Sequence, residues 1–166
     1  YDFSDTILKD TFKPYKIFRK GDLKIGVFGI GIELEGLVPK KLYQNTVYQD
    51  PITTANHYAT LLKKNQKCDL VICLSHLGFK YKTNEISDMK FAQQTRDIDL
   101  IIGGHTHHFL KKPVIQLNLD GKEVLINQVG WAGINIGKIK FHFSQNDDDK
   151  KVFGGSVFVK NSLKEA

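Results

Sequence analysis

Two short apolar runs, Asp69-Leu-Val-Ile-Cys-Leu74 and Asp99-Leu-Ile-Ile102, constrain this chain more than any other feature. Each reads as a buried strand, and each stops on a histidine motif: Ser75-His76-Leu77-Gly78 after the first, Gly103-Gly-His-Thr-His-His108 after the second. Helical periods lie between them. Asp50 is a good N-cap with Pro51 at the first helical position, and Ile52, Ala55, Ala59 and Leu62 recur at helical spacing to about Gln66. Ser87 or Asp88 caps a shorter helix through Gln94. Residues 23–32, β-branched with interspersed glycines, predict a buried strand closely approached by neighbouring backbone. Strand, helix, strand, helix, strand is the signature of crossovers between roughly parallel strands, whose ligands gather at the strands' carboxyl ends.

Past Pro113 the texture becomes all-β. Strands are expected over 114–119, 123–129, 135–143 and 152–159, with a hairpin turn at Asp120-Gly121 and another turn over 145–151. The expected fold class is therefore α/β: a mixed sheet with two helices, then antiparallel strands, in one domain spanning 1–166.

The chain has 166 residues, 41% hydrophobic and 25% charged, which fits a globular domain with a core. Lys plus Arg exceed Asp plus Glu, 24 against 18, but the lysines are scattered, so a nucleic-acid polymer is not expected as a partner. The balance gives a weak preference for anionic, phosphate-bearing ligands. No apolar stretch is long enough to span a bilayer. Cys68 and Cys73 are too far apart along an extended chain to bridge each other and read as reduced core residues.

The histidines carry the chemistry. In an extended segment, residues two apart share a side, so His105 and His107 are expected to aim into one cavity with Thr106 facing away. His76, at the end of the other strand, is the third candidate metal ligand. His108 alternates away from the pair and its role is open. Two divalent ions about 3.5 to 4 Å apart form the clamp used in phosphate-ester hydrolysis. Gly103 and Gly104 are expected to let the strand end turn sharply, and a bulky residue there to distort the site. His57 and His142 read as surface or hydrogen-bonded residues.

Together, Ser75-His76-Leu77-Gly78 and Asp99-Leu-Ile-Ile-Gly-Gly-His-Thr-His107 resemble the last two motifs of the calcineurin-like binuclear metallophosphoesterases, in their 5′-nucleotidase branch. Lys24-Ile-Gly-Val-Phe-Gly29 and Asn127-Gln-Val-Gly-Trp-Ala-Gly133 are similar to flanking strands of that family. The resemblance implies a layered α/β/β/α sandwich of which this chain is the second, carboxyl-terminal half. It implies two divalent metal ions, Zn, Mn, Fe or similar, with His76 and His105 on one and His107 on the other. It implies hydrolysis of a phosphate monoester, a nucleotide, by a metal-bound hydroxide, and a periplasmic or exported location. The family's Asp-x-His pair, bridging Asp and Gly-Asn-His segment are not in this sequence. No catalytic residue is therefore assigned here, and the missing amino-terminal half of the domain is an expected partner. The alternative is a non-catalytic metal-binding or interaction module that retains the histidine cluster.

Three other features have two readings. Asn127 is a donor behind the site or, preferred, a strand-edge structural residue. Trp131 lines a pocket or, preferred, packs in the core. Asp147-Asp148-Asp149 is a solvated hairpin tip in preference to a calcium loop. Ser75 is not read as a nucleophile, because adjacent strand residues face opposite ways and no nucleophile elbow surrounds it.

Overall fold

A computed structural model describes residues 1–143 and 151–158. The expected turn over 145–151, the Asp147-Asp148-Asp149 tip within it and the last expected strand residue, Val159, lie outside the described residues, save Lys151.

The two apolar runs form β3 (Leu70–Ser75) and β4 (Leu100–Ile102). They occupy the middle of a six-stranded sheet with β1 (Tyr15–Lys20), β2 (Leu23–Ile30), β5 (Val114–Leu117) and β6 (Glu123–Asn127), in the order β1-β2-β3-β4-β6-β5. The pairs β2-β3, β3-β4 and β4-β6 are parallel, and the edge strands β1 and β5 are antiparallel. A separate antiparallel hairpin joins β7 (Asn135–His142) to β8 (Lys151–Phe158).

The α/β expectation is met, with corrections of detail. The sequence pattern does not predict β1, because Tyr-Lys-Ile-Phe-Arg-Lys carries four polar or basic positions and its burial alternates only weakly. β6 does not simply continue an antiparallel run: it lies between β4 and β5, so Asn127 is on an interior strand and its strand-edge reading falls.

Helices cover one face. α1 (Lys40–Tyr43) is a single exposed turn in the loop after β2. α2 (Pro51–Thr60) begins as expected: Asp50 Oδ1 accepts from the Thr53 N–H at 2.7 Å, with Pro51 at N1. It continues through a π-helical turn, Leu61–Asn65. α3 (Asp88–Gln93) takes Ser87 as its cap. Ala55, Ala59 and Leu62 from the first helix and Phe91 and Ala92 from α3 pack with Phe28, Val71, Cys73, Ile101, Val124 and Ile126 of the sheet. Gly26 permits this packing, since a Cβ there would stand 2.9 Å from Leu62 Cδ2. The close neighbour at Gly26 is thus a leucine side chain and not the backbone expected there. Cys68 and Cys73 are buried and free, as expected.

The pleat sends the alternate residues of the same strands to the other face. There Leu74, Ile102, Ile115 and Leu117 are exposed, about half so for Leu74 at 48%. Two residues that share that face, Leu74 and Ile102, are direct partners across β3 and β4.

Candidate metal centre

Each strand end holds its histidine by main-chain bonds. The His76 N–H donates to Ile30 O at 2.9 Å, extending the β2-β3 ladder by one bond. Beyond β4, Gly103 N–H donates to Asn127 O at 2.8 Å, which carries the chain one residue further along β6 before it turns. His105 and His107 then follow with φ of +67° and +55°. Thr106 N–H closes back onto Gly104 O at 2.9 Å.

The extended alternation expected for 105–107 is therefore not what forms. The loop is tightly curled, and the histidines rather than the glycines adopt the left-handed backbone, at a cost of order 1 kcal/mol each. The side chains that hold the curl explain it. Thr106 Oγ1 accepts from the Phe79 N–H at 2.8 Å, while Gln128 accepts from the His108 N–H and donates through Nε2 to Gly104 O.

Even so, His76 and His105 meet at one rim, and His107 lies near enough to act electrostatically on the His76 ring. The rings of His76 and His105 lie 5.2 Å apart, nearly edge to face at 70°. His107 stacks at 17° on Trp131, 5.9 Å away. Burial lowers the pKa of His76, and the nearby His105 and His107 lower it further, so its neutral, metal-binding form is favoured. Gly104 sits against this ring, where a Cβ would come within 3.0 Å of His76 Nδ1.

The His76 and His105 pair suits part of a cation's coordination shell. Among the described residues, however, no group of three His, Cys, Asp or Glu side chains is placed to hold one ion. The donor set present is incomplete. His108 has its Nδ1 2.9 Å from Thr106 Oγ1 and its ring beside Phe79. His57 packs edge-on against Tyr58. Trp131 is 58% exposed, so its core reading is corrected: it forms a platform for His107.

A cleft of about 660 Å³ opens beside the rim, with His105 among its walls. Glu33, Asp50 and Glu85 line it together with Tyr48 and Tyr81. Burial, reinforced by Tyr1, Glu33 and Asp50, pushes the Tyr48 hydroxyl up to about 12, which leaves it a permanent donor. The basic balance of the whole chain is thus not repeated here, and this cleft does not supply the preference for anions.

Two residues behind the rim escaped the sequence. Gln128 is 1% exposed and ties residues 104–108 together. Asp88 is fully buried, accepts from the Ser75 hydroxyl at 2.5 Å, and has Oδ2 without a hydrogen-bond partner. Ser75 is accordingly occupied as a donor on the buried side, consistent with its exclusion as a nucleophile. Asn127 is buried with Oδ1 unpartnered, its backbone rather than its side chain serving the loop. Gln128 could have been flagged as a polar residue following an apolar strand. Asp88 could not, since an acidic first-turn residue after a serine cap is ordinary helix chemistry.

The mixed sheet, bringing His76 and His105 to the ends of adjacent parallel strands, defines the class of the chain as an α/β domain. The calcineurin-like phosphoesterase family matches over residues 4–109. The chain belongs to that family. It is 29% identical over 182 residues to an apyrase of Tabanus yao, covering 97% of this chain and 31% of the relative. It is 26% identical over 167 residues to the Homo sapiens 5′-nucleotidase, covering 93% of this chain and 28% of that protein. A 5′-nucleotidase precursor from Thermus thermophilus shares the fold with a TM-score of 0.73 at 23% identity, over 91% of this chain and 31% of that one. The chain thus spans about a third of the length of the relatives it matches. These matches carry the family and the fold. They do not support the expectation that the chain is the carboxyl-terminal half of the domain.

Proposed function

We propose that this chain contributes His76, His105 and His107 to the binuclear centre of a divalent-metal-dependent phosphoric monoester hydrolase of 5′-nucleotidase type. The observation that carries the reading is the meeting of His76 and His105, 5.2 Å apart, at adjacent strand ends of a calcineurin-like phosphoesterase fold. When bound, a pair of divalent cations supplies the Lewis acidity that polarises the phosphate and lowers the pKa of the attacking water. His76 offers a neutral imidazole, and Gly104 keeps the space beside it clear. His107 is oriented by Trp131, whose exposed ring also shields one side of the rim.

The remaining donors, carboxylates above all, come from sequence outside residues 1–166. The exposed pair Leu74 and Ile102, beside the histidines on the sheet face away from the helices, supports this, since a further layer of the same domain would pack there. Nucleotides are the proposed substrates, and a periplasmic or exported location belongs to the same proposal. Among the described residues no helix is long and apolar enough to cross a membrane.

The test uses the full-length protein, stripped with a chelator and reloaded with single divalent ions. Phosphate release from nucleoside monophosphates and an aryl phosphate should appear only with metal and be abolished by His105→Gly. Glycine is chosen because it accepts the left-handed backbone at 105, so stability without metal should hold or rise slightly. The second reading is a non-catalytic metal-binding or interaction module that retains the histidine cluster. Absence of metal-dependent hydrolysis in the full-length protein would decide for it.

A further inference from the structure

Behind the rim, one carboxyl lies wedged between the two strand ends that carry the histidines. Asp88 Oδ1 accepts from Ser75 Oγ at 2.5 Å, the residue before His76, and Ser75 Oγ in turn accepts from the Leu77 N–H at 3.2 Å. The Asp88 main chain is fastened to the same loop, its N–H donating to Gly78 O at 2.7 Å. On the other side Oδ2 abuts Gly103, two residues before His105. It sits so close that a Cβ at that position would overlap the oxygen, with Gln128 Nε2 3.3 Å from the same point. Oδ2 is buried and has no hydrogen-bond partner. An unpaired carboxylate oxygen is a costly thing to keep in a core, and a methyl group or an amide would serve packing alone at less cost.

We propose that Asp88 is a positioning residue whose carboxyl sets the separation of the Ser75 and Gly103 strand ends, and so holds the His76 and His105 rings at the spacing a divalent cation needs. The inference rests on the metal-site reading above for its purpose, but the spacing itself is a property of the metal-free protein. One oxygen pulls on the first strand end through Ser75. The other fills the gap left where the second strand end has no side chain. Burial raises the Asp88 pKa to about 6, against a smaller lowering by Ser75, so near neutrality the carboxyl changes charge without changing shape. Shape is what the spacer role requires.

The experiment compares Asp88→Asn, which keeps the volume and an oxygen for Ser75, with Asp88→Ala, in the full-length protein. Two readouts are used: cobalt(II) affinity from its visible absorption, and, without metal, the cross-relaxation between His76 and His105 ring protons in histidine-labelled samples. Asp88→Ala is expected to weaken cobalt binding about 10- to 100-fold, the range for residues that orient ligands, and to lose the ring contact. Asp88→Asn should stay close to wild type on both. Wild-type affinity and an intact ring contact in Asp88→Ala would overturn the inference, as would an Asp88→Asn variant as defective as Asp88→Ala. If Asp88→Ala does not fold, Ser75→Ala takes its place, and an unchanged ring contact there overturns the spacer. Failure of the wild type itself to bind cobalt removes the metal reading, while the ring contact still decides the spacing.

Discussion

At the scale of single residues, the buried polar pair behind the rim governs pH dependence and loop order. The Asp88 pKa stands raised to about 6 from the usual 3.8 because burial disfavours the charged form. Below pH 3.8 the carboxyl is protonated in folded and unfolded chains alike and costs nothing. Between 3.8 and about 6 the unfolded chain ionises first, so stability falls as pH rises, by roughly 3 kcal/mol over the whole window. Asp88→Asn should remove this slope, which urea denaturation on either side of that window would reveal; a parallel slope in the variant would refute the assignment. Gln128 makes a different prediction. Gln128→Leu keeps the volume but strands the His108 N–H and leaves Gly104 O with the Thr106 N–H alone, and should cost on the order of 2 kcal/mol in thermal unfolding. A loss under about 0.5 kcal/mol would mean that water replaces the amide.

At the scale of elements, aspartates fix both ends of what the apolar runs begin. Asp99, at the start of β4, accepts from the Val71 N–H of β3 at 2.7 Å and from Lys63 Nζ at 3.0 Å. It ties the π-helical turn and two strands together at the end of the sheet away from the histidines. Asp99→Ala should therefore destabilise by about 1 to 3 kcal/mol, more than Asp50→Ala, which removes only an N-cap worth about 1 kcal/mol. Equal losses in chemical denaturation would show the cross-element bonds to be worth no more than the cap. The contrast also shows what a sequence exposes. Asp50-Pro51, Ser87 and the runs at 69–74 and 99–102 were legible because cap, period and burial act within a few residues. The convergence of His76 and His105 was legible because strand ends of a parallel sheet lie side by side. The curl at 105–107 was not, since it depends on Gln128, a residue on a different strand end. Nor was the edge strand β1, whose partner alone makes it a strand, or the contact of Trp131 with His107 across a glycine turn.

At the scale of the whole molecule, the two faces of the central sheet are unequal. One buries Phe28, Val71, Ile101 and Ile126 under α2 and α3. The other presents Leu74, Ile102, Ile115 and Leu117 at exposures between 42% and 56%. Leu74 lies opposite Ile102, while Ile115 and Leu117 lie on the edge strand β5 beyond β6, so the exposed side chains form two apolar groups, the first of them beside the histidines. Exposed apolar side chains grouped in this way mark an interface. The histidine rim lies at the ends of the strands that carry the first group, so whatever layer covers that group also arrives beside the site with its donors incomplete. This coupling predicts that face and rim are completed together. In the full-length protein Leu74→Asp should cost about 2 to 4 kcal/mol, as expected for a charge forced into a covered apolar interface, and should lower cobalt affinity at the histidines as well. Ile7→Asp, at a position 94% exposed, should stay within about 0.5 kcal/mol and leave cobalt binding alone. If both substitutions prove equally harmless in thermal unfolding, the face is bare in the complete protein. The missing ligands must then reach the rim by some route other than a layer packed on this sheet.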